Sequence, residues 1–187
     1  MAGGFLGDFV KGRLKGERPD ELEVGIKLHR AIDVFTDQHP QVKRSHRRFP
    51  SHLRRFAPIV TDIVYDHFLA KYWDQFHSTQ SLATFSQRAY QSVKTHQTHL
   101  PEQAAFVIDR MASVDALASY KNYAFVEAAL MRLSKRITRE NTLGQSYDFF
   151  LTIEAELFSD FELFFPELST FSQDWIADAA QPNIPLS

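Results

Sequence analysis

An all-α protein is expected from this sequence: a single helical domain, residues 1–187, of about seven to nine helices. Three observations predict it. Apolar residues recur at helical spacing nearly throughout, and no stretch alternates convincingly as a strand does. Hydrophobic residues make up 44% of the chain and include 17 Phe, enough for a sizeable core in 187 residues, the length of one domain. No internal repeat, low-complexity tract or interdomain linker divides the chain.

A first short helix is expected over Phe5–Leu14, ending in the turn from Gly16 to Pro19. Asp20 can cap a second helix reaching about Phe35. His39-Pro40 opens a third segment, interrupted near Pro50, and Pro58 suits the first turn of a helix reaching about Phe76. Helices follow near Ser81–Thr98, Pro101–Tyr120 and Lys121–Arg139. A long Phe-rich stretch runs from about Thr142, punctuated by Pro166, and the tail after Ala180 reads as loose. Phe149, Phe150, Ile153, Leu157, Phe158, Phe161, Phe164 and Phe165 recur at helical spacing, a stripe that belongs to a core rather than a ligand groove.

With no cysteine, disulfides and thiolate metal sites are excluded, and any metal must be held by His, Asp and Glu. No apolar run approaches the ~20 residues that span a bilayer. Met1–Lys11 carries only a short apolar stretch and no basic leader. No signal peptide and no membrane contact are therefore expected, and the expected location is the cytoplasm. The net charge of −2 hides an asymmetry. Lys43, Arg44, Arg47, Arg48, Arg54 and Arg55 fall in a stretch free of acids, while no Lys or Arg follows Arg139. Such a basic stretch is either a solvated face or a docking surface for an anionic partner.

The informative residues are polar groups on apolar faces. Advancing 100° per residue along Asp20–Phe35 puts His29 and Asp33 on a stripe with Leu22, Ile26, Ile32 and Thr36. Along Pro58–Phe76, Asp62 and Asp66 lie one turn apart on a face with Ile59, Ile63, Leu69, Ala70 and Trp73. Asp8 sits among Phe5, Leu6, Phe9 and Val10. Carboxylates on a burying face need a compensating cation. An internal salt bridge is the plainer source. The clustering of Asp8, His29, Asp33, Asp62, Asp66 and His67 favours a metal, and this oxygen-and-imidazole set suits Mn²⁺, Mg²⁺ or Fe²⁺ better than structural zinc. No nucleophilic triad or dinucleotide fingerprint competes, and Gly3-Gly4 and Gly7 are too few and wrongly spaced for a phosphate loop.

Three runs carry a family resemblance: GDFVKG at Gly7–Gly12, GIKLHRAIDVFTDQHP at Gly25–Pro40 and DIVYDHFLAKYW at Asp62–Trp73. Together they resemble the acyl carrier protein phosphodiesterase family, although each alone is weak. The resemblance implies an all-helical fold similar to the HD-domain metallophosphohydrolases. It also implies a divalent metal, preferably Mn²⁺, and a place in fatty acid biosynthesis. The implied reaction is hydrolysis of the phosphodiester joining 4′-phosphopantetheine to a serine of holo-acyl carrier protein. Asp8, in the GDF run, matches a position thought to be essential in the family; His29, Asp33, Asp62, Asp66 and His67 match its other acids and histidines. Relatives usually open with a further segment containing histidines, whereas only Met1–Phe5 precede the LGDF run here. A metal ligand in that segment would be missing, and weak metal binding or inactivity would follow.

The mechanism expected is metal-assisted attack of water on phosphorus. Asp8, His29, Asp62 and Asp66 are the expected metal shell. Asp33 is expected to orient His29, and His67 to protonate the leaving serine oxygen. The acidic carrier protein would dock on Lys43, Arg44, Arg47, Arg48, Arg54 and Arg55. Two rival readings stand beside this one. The first is an HD-type phosphohydrolase acting on free nucleotides. The second is a non-catalytic helical module that binds RNA or an acidic protein through the basic stretch. Against RNA, that stretch offers only Phe49 and Phe56 for stacking, and the whole chain is net acidic, so no nucleic-acid partner is expected.

Overall fold

In the computed structural model, which describes residues 1–180, eleven α-helices and three short 3-10 turns succeed one another, with no strand among the described residues. The helices are α1 (Ala2–Leu6), α2 (Asp20–Gln38), α3 (Pro40–Arg48), α4 (Ala57–Lys71), α5 (Trp73–Phe76) and α6 (Leu82–Lys94). They continue with α7 (Glu102–Ser113), α8 (Ala116–Ser119), α9 (Tyr123–Arg136), α10 (Ser146–Thr152) and α11 (Glu154–Ala180). The all-helical expectation holds. The expected seven to nine helices become eleven because three long stretches are each broken in two. The breaks fall at Tyr72 (φ −109°, ψ 27°), at Asp115 (φ 43°, left-handed) and at Ile153 (φ −126°, ψ 19°). Aspartate is among the few residues that visit the left-handed region readily. Here Tyr90 donates its hydroxyl to Asp115 Oδ1 at 3.1 Å and accepts the Leu117 N–H at 2.8 Å, which fixes the turn.

The first helix departs most from expectation. It spans Ala2–Leu6, not Phe5–Leu14, so Asp8 lies in the turn that follows it. Close packing rather than propensity sets this start. A Cβ on Gly3 would fall 2.4 Å from the Leu22 carbonyl oxygen, and one on Gly25 would fall 2.7 Å from the Gly3 Cα. These two glycines let α1 lie directly on α2. Beyond it the chain relaxes through Gly12 and Gly16, both at positive φ (77° and 71°).

Caps and breaks elsewhere follow local chemistry. Ser81 accepts the Thr84 N–H at 3.2 Å and caps α6; His39 Nδ1 accepts the Gln41 N–H at 3.3 Å and caps α3, whose first residue is Pro40. Pro58 sits in the first turn of α4, as the sequence suggests. Asp20 is the first residue of α2 rather than its cap, which is Pro19. Pro166 does not end the Phe-rich helix; α11 runs through it for 27 residues. The tail read as loose, 181–187, lies outside the described residues.

Helix α4 is the axis of the larger core. Nine of its fifteen residues are buried, among them Val60, Val64 and Phe68. Around it pack Val126 and Leu130 of α9, Phe150 of α10, and Leu157, Phe161 and Phe164 of α11. The C-terminal aromatic stripe is therefore core, as expected. A smaller core joins Leu6, Leu22 and Ile26 to Tyr90, Val93, Ala104 and Ile108, tying α1 and α2 to α6 and α7. Each fully buried aliphatic side chain contributes about 1.5–3 kcal/mol.

Candidate functional site

Helix α2 presents a stripe that passes from buried to open along its length. Leu22 and Ile26 are buried, His29 is 23% exposed in its side chain, and Asp33 is 59% exposed. Asp8 arrives at this stripe because the turn after α1 is fastened to α2: Arg30 donates to the Val10 carbonyl at 2.8 Å. Gly7 is the second device. A Cβ there would fall 2.2 Å from the His29 ring, so only glycine lets the imidazole lie beside Asp8. His29 Nε2 then stands 3.6 Å from Asp8 Oδ1 and 3.3 Å from Asp33 Oδ2. Both acids face the same ring nitrogen. An orienting carboxylate would take the other nitrogen, so Asp33 stands beside Asp8 rather than behind the ring.

Asp62 and Asp66 lie on the one open face of α4. The expectation that they sit on a burying face is corrected: Ile59, on the same side, is also exposed, and the helix buries its other faces. No Lys or Arg pairs with either carboxylate among the described residues. The internal salt bridge, the plainer reading of the sequence, is absent for both. Surrounding protein and repulsion from Asp37 and Asp33 of α2 push Asp62 up to about 6. Surrounding protein and Asp62 push Asp66 up to about 7. Water reaches both side chains and tempers the desolvation, but the repulsion among like charges remains. Asp33 and Asp37 of α2 are thus close enough to Asp62 of α4 to raise it, Asp66 follows Asp62 one turn along α4, and Asp33 also flanks His29 opposite Asp8. Asp37 was missed in the sequence, although its spacing of four from Asp33 places it on the same helix face.

His67 does not join this group. It is fully buried, its Nδ1–H donates to the Tyr120 carbonyl at 2.7 Å, and its ring packs against Tyr123 and Phe150. Its Nε2 has no partner among the described residues, and burial lowers its pKa. A neutral imidazole walled in by aromatic rings cannot hand a proton to an oxygen on another protein. The leaving-group role expected for His67 is therefore corrected to a structural one.

The basic stretch divides as well. Asp160 of α11 is completely buried, a residue the sequence reading passed over although it interrupts the stripe between Leu157 and Phe164. Arg48 grips it from Nε at 2.7 Å and Nη2 at 3.1 Å, Arg44 approaches to 3.3 Å, and Ser45 donates its hydroxyl at 2.9 Å. Arg48 is thus an internal anchor rather than a docking residue, and Arg44 is partly committed. Arg54 donates to the Phe49 carbonyl while staying exposed, and Arg55 lies 4.5 Å over the Phe56 ring. Lys43 and Arg47 are exposed and have no acidic partner among the described residues.

On its inner side Asp66 lines a small cavity of about 50 Å³, shared with Trp73, Phe85, Leu117 and Tyr120. A larger depression of about 450 Å³ beside His77 contains no acidic side chain. The donors at the acidic seam, carboxylate oxygens and one imidazole, fit a hard divalent cation chemically. No three or more His, Asp or Glu side chains among the described residues are gathered as a metal site, so a cation would require them to draw together.

The fold and site define an all-helical protein with an open carboxylate–imidazole seam whose acids pair with no Lys or Arg among the described residues. The chain belongs to the acyl carrier protein phosphodiesterase family, whose model matches residues 1–168. It is 34% identical over 147 residues to a Yersinia pestis protein named acyl carrier protein phosphodiesterase, covering 79% of this chain and 76% of the relative. Proteins of the same name from Photorhabdus laumondii and Serratia proteamaculans are 33% identical over 165 residues and 31% identical over 174. The first alignment covers 88% of this chain and 81% of the relative, the second 93% and 90%. No solved structure matches the chain. No helix among the described residues is long and apolar enough to cross a membrane.

Proposed function

We propose that this protein hydrolyses the phosphodiester between 4′-phosphopantetheine and the serine of holo-acyl carrier protein, using the acidic seam between α2 and α4. Membership of the family supports the reaction. The observation that carries the site is a chain of neighbours, Asp8 and Asp33 flanking His29, Asp33 and Asp37 raising Asp62, and Asp62 raising Asp66, with no Lys or Arg paired to any of these acids among the described residues. An HD-domain-like arrangement within one helical domain is part of this reading; the all-helical frame and the acid-and-imidazole donors support it.

Asp8, His29, Asp62 and Asp66 would hold a divalent cation, Mn²⁺ by preference, with Asp33 alongside His29. When bound, it would polarise a phosphoryl oxygen and make an attacking water more acidic. The chain's own residues do the rest. His29 is held at its place by Gly7 and flanked by both acids. Lys43, Arg47, Arg54 and Arg55 give the approaching acidic protein a favourable field.

The test is the mass of holo-acyl carrier protein incubated with the enzyme and Mn²⁺. Loss of the phosphopantetheine mass, abolished by EDTA and by Asp8→Ala, is expected. Intact holo-protein beside rapid hydrolysis of free nucleotides would shift the assignment to a nucleotide phosphohydrolase.

A further inference from the structure

Between α7 and α9 lies a groove of about 470 Å³ whose walls are apolar and whose rim is cationic. Phe106, Val114 and Phe125 line it, and Phe106 and Val114 are 66% and 54% exposed, far more than large apolar side chains usually are. Arg110, Arg132 and Arg136 surround them. All three arginines are exposed, and none has an acidic partner among the described residues. Arg132 lies 5.4 Å over the Phe125 ring, which holds its guanidinium at the rim. Aromatic and arginine side chains around an apolar centre are the residues enriched where proteins bind proteins. The seam of α2 and α4 has the opposite charge, so an anionic surface drawn to the groove would be repelled from the seam itself.

The groove adjoins the small cavity on the inner side of Asp66. Tyr120, at the end of α8, lines both the groove and the small cavity that contains Asp66. It is held there by the fixed turn at Asp115 and by the bond from His67 to its carbonyl. We infer that the α7–α9 groove seats an acidic, amphipathic surface of the carrier protein, placing the phosphodiester that it bears beside Asp66. The inference rests on the proposed function. It separates two tasks: Lys43, Arg47, Arg54 and Arg55 attract the substrate at a distance, and the α7–α9 groove holds it. The occupant is a protein face rather than a free small anion, because three arginines spaced around an exposed Phe match a surface of alternating acidic and apolar groups. Charge complementarity selects the carrier protein as the partner, since acyl carrier proteins are small and acidic.

Steady-state kinetics on holo-acyl carrier protein test this, with Arg110→Glu/Arg132→Glu and Phe106→Asp compared with wild type. A small phosphodiester, bis(4-nitrophenyl) phosphate, serves as a second substrate. The expected result is a KM for holo-acyl carrier protein raised at least tenfold, with kcat within about twofold and turnover of the small substrate unchanged. The Phe106→Asp effect should persist at high salt, whereas the arginine effect should shrink as salt rises. Unchanged KM in both variants, with wild type fully active, would overturn the groove and leave the proposed function standing. Loss of small-substrate turnover in both variants would overturn it too, by showing damage to the site rather than to docking. So would a wild-type dimer that Phe106→Asp dissociates, since the groove would then belong to a second copy. If wild type neither binds nor cleaves holo-acyl carrier protein, the function falls and the groove's assignment with it.

Discussion

At His29, one ring nitrogen lies within 3.6 Å of one carboxylate and 3.3 Å of another, and the glycine behind the ring is what makes room for it. Gly7→Ala should therefore push the imidazole away from Asp8, costing about 1–3 kcal/mol through overpacking. Hydrolysis should fall at least tenfold while the helical circular dichroism spectrum is retained. Full activity in that variant would remove Gly7 from the account. His67 should behave in the opposite way. His67→Gln should lose about 1–3 kcal/mol, because it disturbs a buried bond to the Tyr120 carbonyl. The limbs of the pH–rate profile should stay in place, and loss of the basic limb, where a proton donor would deprotonate, would restore the proton-donor role. The sequence alone distinguished these residues poorly. The spacing of His29 and Asp33 on one helix face was visible, as was the type of each candidate. Whether an imidazole faces a seam or a core depends on which neighbouring helix covers it, and Tyr123 and Phe150, more than fifty residues downstream of His67, cover it.

Helices were legible where a local signal fixed them. Ser81 capping α6, Pro40 opening α3 and Pro58 in the first turn of α4 act within a few residues, so sequence spacing reports them directly. The start and stop of α1 were not legible, because Gly3 serves contact with Gly25 of α2 rather than breaking a helix. Pro166, which punctuates the Phe-rich stretch in the sequence, sits inside α11 for a related reason: a long helix packed along α2 and α3 tolerates the loss of one backbone hydrogen bond. The buried Asp160 shows the same dependence on distant partners. It looked like one more acid in the acidic C-terminal stretch, yet it locks α11 to α3 through Arg48 and Ser45. Asp160→Asn or Arg48→Ala should destabilise the protein by about 3–5 kcal/mol, measured by urea unfolding, since each leaves a charge without its buried partner. Arg47→Glu should change stability by less than about 0.5 kcal/mol, as befits an exposed site. Equal stability of all these variants would contradict the division of the basic stretch into anchor and surface.

Across the whole molecule, negative charge accumulates where α2 passes α4: Asp33 and Asp37 act on Asp62, and Asp62 on Asp66. This arrangement sets how stability should vary with pH. Burial and neighbouring acids push Asp62 and Asp66 up to about 6 and about 7 in the fold, against an ordinary aspartate value of 3.8, so the folded state holds protons that the unfolded chain releases. Their favourable contribution is complete below the unfolded value and is lost as pH rises through the folded ones. Metal-free protein should therefore melt at lower temperature near pH 8 than near pH 5, and Asp62→Asn/Asp66→Asn should flatten that slope. A slope unchanged by the double variant would mean that other groups set it. The sequence shows the carboxylate pair on α4 and His29 with Asp33 on α2; it could not show that α2 brings Asp33 and Asp37 near Asp62. On the proposed function, this seam holds the cation on which hydrolysis depends. Titration of Mn²⁺ into the protein at neutral pH, followed by the paramagnetic resonance signal of the free ion, tests it most directly. Saturable loss of that signal in wild type, largely abolished in Asp8→Asn and in Asp62→Asn/Asp66→Asn with folding intact, is the predicted result. Equal loss of signal in wild type and in these variants would place the cation elsewhere and contradict the account.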